Sequence, residues 1–161
     1  MKRNIASKTL LALSIGLLAI FGTARTVPAK SGCSNATLKG SYGLHATGTV
    51  LSGSLTGPLA FVGILTFDGA GQLTGSLSQR LSAGTAATTL IKVPYTGTYS
   101  VNADCTVEDT WTNLLNGTSS VHESVIVDRG KGLFILNTTI GAPNIVSAVV
   151  RKQFGGDDDE D

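Results

Sequence analysis

From Leu38 onward the chain runs in short Thr- and Val-rich stretches in which apolar and polar residues tend to alternate, with glycine-centred breaks between them. A period of two puts alternate side chains on opposite faces of a strand, and no segment beyond residue 30 holds a helical period over a useful length. Strands are therefore predicted at 38–50, 59–67, 72–81, 90–102, 105–115, 118–127, 133–140 and 145–153. The run 59–67 is nearly all apolar, which suits a strand buried on both faces or closed in a barrel. Pro94 interrupts the run 90–102 and predicts an edge, a bulge or a strand start nearby. Between runs stand Gly57-Pro58, Asp68-Gly69-Ala70-Gly71, Asn116-Gly117, Asp128-Arg129-Gly130 and Gly141-Ala142-Pro143-Asn144, all turn chemistry.

Short loops make consecutive strands antiparallel neighbours, and a long meander best hides its edges by closing on itself. The expected fold is all-β: a single antiparallel up-and-down β-barrel of eight strands, with a two-sheet β-sandwich as the alternative.

Asn116-Gly117 is the strongest hairpin signal in the chain. A two-residue loop there pairs Trp111 with His122, Asp109 with Ser124 and Val107 with Ile126. Trp111, His122 and Asp109 then share one face, and Thr110, Thr112, Val121, Glu123 and Val125 share the other. Neither face is cleanly apolar, so the pattern leaves open which looks inward. By contrast, Val93, Tyr95, Tyr99 and Val101 make one face of their strand a candidate interior.

The first residues follow another grammar. Lys2, Arg3 and Lys8 precede the apolar stretch 10–21, and small residues lead to Val27-Pro28-Ala29. This is the layout of a secretory signal peptide over 1–29, with cleavage after Ala29 or, alternatively, after Gly22-Thr23-Ala24. The apolar stretch is shorter than the roughly 20 residues a membrane span needs. Lys30 stands where a lipoprotein signal wants an aliphatic residue before Cys33, so lipidation is not expected. The expected organisation is a signal peptide at 1–29, a β-barrel domain at 30–154 and an acidic tail at 155–161. Localisation is expected to be secreted or periplasmic, with no membrane span after cleavage.

Cleavage takes four of the twelve basic residues and leaves eight against eleven acids, a net charge of −3. Five of the acids form the terminal run from Asp157 to Asp161, so the body is nearly neutral. It carries no electrostatic footprint for nucleic acid, and consecutive acids without a glycine turn lack the ligand spacing of a calcium loop. Cys33 and Cys105 are the only cysteines. In an exported chain two such thiols are expected to form a disulfide.

Three runs carry a resemblance. Cys33-Ser34-Asn35-Ala36-Thr37-Leu38-Lys39-Gly40-Ser41-Tyr42-Gly43, Gly63-Ile64-Leu65-Thr66-Phe67-Asp68-Gly69-Ala70-Gly71 and Gly97-Thr98-Tyr99-Ser100-Val101-Asn102-Ala103-Asp104-Cys105-Thr106 are similar to signatures of a set of uncharacterised secreted bacterial proteins. The resemblance implies a small barrel like those of allene oxide cyclases and lipocalins, and it implies no activity. Where that set often carries an acidic pair with a threonine, this chain reads Leu136-Asn137-Thr138-Thr139.

Candidate chemistry is sparse. Gly69-Ala70-Gly71-Gln72-Leu73-Thr74-Gly75 leads into a strand rather than a helix, so it offers no helix N-terminus to a phosphate. His45 and His122 are the only histidines, too few for a histidine-rich zinc site, and no serine sits in a nucleophile elbow. No catalytic residue, metal or cofactor is expected. Asp109 could orient the His122 imidazole only under the two-residue-loop register. Tyr95, Tyr99 and Trp111 could line a lumen for a small apolar ligand, with His122 beside them and Glu123 or Arg151 as a polar anchor. The expected role is a non-catalytic binding or surface-interaction module. The alternative is a cofactor-independent isomerase or cyclase of the allene oxide cyclase-like barrel type.

Overall fold

The computed structural model describes residues 32–83 and 86–153. The expected signal peptide and acidic tail lie outside the described residues. Eight strands form a closed antiparallel barrel in sequence order: β1 (Lys39–Val50), β2 (Gly57–Asp68), β3 (Gln72–Ala83), β4 (Ala86–Val101), β5 (Thr106–Asn113), β6 (Ser119–Val127), β7 (Gly132–Asn137) and β8 (Asn144–Lys152). β8 returns to pair with β1, from Tyr42 opposite Lys152 to Val50 opposite Asn144, so no edge strand is left. The eight predicted runs and these strands coincide apart from their end residues, and the barrel, not the sandwich, is the fold.

Pro94 is accommodated by a bulge. Ile91 and Lys92 together oppose Ser78, where the β3–β4 register shifts between Leu77 and Gln79. Lys92 takes a positive φ of 53°, and its amide donates to Ser78 Oγ instead of to the ladder.

Inward positions divide the barrel into two halves. At the end where β1 starts and β8 finishes, the interior is solid. Tyr42, Phe67 and Tyr99 stack edge-on, with centroids 5.3 and 5.1 Å apart. Leu65, Leu73, Val107, Leu133 and Val150 fill the space around them. A 3-10 turn (Asn35–Thr37) crosses this end and seals it. It is tied down by Asn35 Oδ1, which accepts from the Val101 amide at 2.8 Å, and by the Leu38 carbonyl, which accepts from the Tyr99 hydroxyl at 3.0 Å. The disulfide between Cys33 and Cys105 anchors the same segment, its Cα atoms 4.9 Å apart. Burial raises the pKa of both tyrosines here, so they stay neutral phenols.

The β2–β3 turn is held by Asp68, whose Oδ1 accepts the amides of Ala70, Gly71 and Gln72 at 2.7–2.9 Å. The Ala70 amide first, and then that of Gln72, hold this carboxyl below its ordinary value of 3.8. At Asp104 the Thr106 hydroxyl and then the Thr106 amide do the same. A carboxylate depressed on folding contributes stability that is present above its unfolded value and is lost as pH falls through the folded one. The melting temperature should therefore drop as pH falls below 3.8. Asp68→Ala should lower it at neutral pH and flatten that acid limb. An unchanged limb in the variant, followed by circular dichroism, would remove Asp68 as a cause.

Candidate functional site

The other half of the barrel is hollow. A cavity of about 270 Å³ occupies the lumen at the end where β1 finishes and β8 starts. Its deeper wall is Leu44, Ala46, Leu77, Ile135 and Ala148, with Phe61 and Tyr95 above them. Its mouth has two sides. Val50, Leu59 and Leu81, with Gln79 among them, give a mainly apolar arc on β1–β3, while Asn113, Asn116, Thr118, Ser120, Asn137 and Asn144, with Val146, give a mainly neutral polar arc from β5 to β8.

Trp111 and His122 stand in the polar wall, both buried, with ring centroids 4.4 Å apart. The register that brings them together differs from the two-residue-loop expectation. Asp109 lies opposite His122, and Trp111 lies opposite Ser120. The cause is a longer turn: the Gly117 amide donates to the Asn113 carbonyl, and the Asn113 amide donates to that of Thr118. Side-chain bonds from the Leu115 amide to Asn113 Oδ1 and from the Thr118 amide to Asn116 Oδ1 brace it. Four residues, 114–117, now lie between the bonded Asn113 and Thr118. A slip of two residues preserves parity, so the faces stay as expected and Trp111, Asp109 and His122 all point inward. Gly97 sits opposite Trp111 on β4. A β-carbon there would collide with the Thr110 carbonyl, so the close approach of β4 to β5 behind the indole requires glycine.

Asp109, only 4% exposed, organises this wall. Its Oδ1 lies 2.9 Å from His122 Nδ1, and its Oδ2 accepts from Ser124 Oγ at 3.1 Å. A carboxylate only accepts, so Nδ1 carries a proton, and Nε2 is left free of that bond in a ring that lines the lumen. Tyr95 reaches Asn113 Nδ2 at 3.4 Å, and its burial raises the phenol pKa. Two buried polar atoms have no partner among the described residues: Trp111 Nε1, a donor, and Asn144 Oδ1, an acceptor. Both are closed off from the lumen, so the wall presents one oriented imidazole and a row of amides.

The remaining expected site residues fall elsewhere. Tyr99 faces inward but lies in the solid half, where its hydroxyl accepts the Gly69 amide at 2.9 Å. It closes the floor rather than lining the lumen. Glu123 is exposed on the outer surface directly across from Glu108, and Arg151 is outside too, paired with Asp128. Neither can anchor a molecule in the lumen, since both stand on the opposite parity from the inward residues of their strands. The amide arc was missed in the sequence. Asn116 and Asn144 read there as turn residues, although Asn113 and Asn137 continue the inward parity of Trp111 and of Leu133 and Ile135.

No protein-family model matches the chain, and no curated protein does. Among solved structures it is similar to a redesigned β-barrel, at 11% identity over 74% of this chain and 95% of that one, with a TM-score of 0.49.

Proposed function

We propose that the protein is an exported, disulfide-closed β-barrel module whose lumen binds a small, largely apolar molecule without turning it over. The observation that carries this reading is the contrast between the halves: one end packed solid and capped, the other an open cavity beside Trp111 and Tyr95. Pockets of this kind, apolar with a few converging polar groups, are where small ligands bind. The protein has one tryptophan, so its emission reports on the lumen. Apolar dyes and medium-chain lipids should shift Trp111 emission. Trp111→Phe should abolish that signal while calorimetry still detects binding. If no probe shifts the emission or releases heat, the lumen-binding reading fails.

Export rests on the leader-like residues 1–29, and the Cys33–Cys105 bond is compatible with an oxidising compartment. Kinship with the secreted bacterial barrels that the sequence resembles belongs to the same proposal. Expression in a bacterium should place in the periplasm or medium a form whose intact mass lacks 1–29.

The Asp109–His122–Ser124 cluster favours a second reading, a cofactor-independent isomerase. An imidazole held in one tautomer by a buried carboxylate is suited to moving a proton within a dry lumen. Turnover detected by NMR as a product of unchanged mass, lost in His122→Gln, would support it against the binding-module reading.

A further inference from the structure

The charge inventory of the lumen limits what can occupy it. Among the described residues, no Lys, Arg, Asp or Glu side chain lines the cavity. His122 could offer a positive charge, but its Nδ1 already faces the Asp109 carboxylate at 2.9 Å. A carboxylate drawn into this space would shed its water with no free cation to receive it and with Asp109 behind the imidazole. Desolvating an unpaired charge is the costliest event such a pocket can impose.

Neutral hydrogen-bonding groups are matched instead. Amide side chains offer both donors and acceptors; most lie from β5 to β8, with Gln79 on β3 across from them. An amide or hydroxyl head both donates and accepts, as these side chains require, whereas an ionised carboxylate only accepts.

We infer that the lumen selects uncharged amphiphiles, an alkyl or acyl chain ending in an amide or hydroxyl head, over carboxylates of the same length. The inference rests on the lumen-binding reading and narrows its ligand class. The chain would lie against Leu44, Leu77 and Phe61, and the head against Asn144 and its amide neighbours.

The test is a length-matched series on the purified protein at pH 7: decanamide, 1-decanol and decanoate, followed by Trp111 emission and by calorimetry. Decanamide and decanol should bind at least tenfold more tightly than decanoate. Asn144→Leu should weaken decanamide several-fold and leave decanoate unchanged, with its melting curve confirming the fold. Decanoate binding as tightly as decanamide overturns the charge selectivity while the lumen reading stands. Undiminished decanamide binding by Asn144→Leu overturns the placement of the head. If none of the three binds, the lumen reading falls, and this inference with it.

Discussion

Phe67→Ala should destabilise the barrel by about 3–5 kcal/mol, the cost of truncating a buried phenylalanine in a packed core. The same change at Phe61 should cost only about 1–2 kcal/mol. Both residues lie on β2 and face inward, so chemistry and strand are held constant. The difference is what surrounds them. Phe67 is 2% exposed and wedged edge-on between Tyr42 and Tyr99, so its loss leaves a void that the ring of strands cannot collapse into. Phe61 is only partly buried and already borders open space, so its truncation enlarges an existing cavity. Urea unfolding of the two variants measures the contrast directly. Equal losses would mean that the mouth half is packed like the floor and that the cavity is not a standing feature of the fold.

Breaking the Cys33–Cys105 bond should cost about 4 kcal/mol, the loop-closure entropy for residues 72 apart in sequence. For a domain of this size that is a fall of roughly 15 °C in melting temperature. The native frame around the bond survives its loss, because the Cys33 amide donates to the Ala103 carbonyl and Asn35 still bonds β4. The effect should therefore appear mainly as easier global unfolding, with the barrel's circular dichroism intact at room temperature. Calorimetry with and without reductant, repeated on Cys33→Ala/Cys105→Ala, checks it. A shift of only a few degrees in both would show that the denatured chain gains little freedom when the bond is cut.

The strands were legible because glycine and proline punctuate nearly every turn and because alternation on β4 sorts Val93, Tyr95, Tyr99 and Val101 onto one side. Alternation assigns a face but not a height. Tyr95 and Tyr99 share the inside, yet four residues along a strand separate the hollow half from the floor, and the sequence carries no mark of that boundary. The mixed character of the β5–β6 inward face has its explanation in the cavity. Asp109, His122 and Ser124 satisfy one another there, so an inward face need not be apolar. Asn116-Gly117 suggests a two-residue loop, but Asn113 contributes a carbonyl and a side-chain oxygen that stabilise a longer one. Parity alone could have ruled out Glu123, one residue from inward-facing His122. The existence of the cavity depends on the summed volumes of side chains from all eight strands, which no local pattern records.

Gly32, beside Ala103, and Gln153, whose amide bonds the Ser41 carbonyl, both lie at the capped end. Anything joined there, whether a purification handle, a fluorophore or a surface tether, approaches from the side away from the mouth. An immobilised barrel would present its lumen to solution without steric shadow.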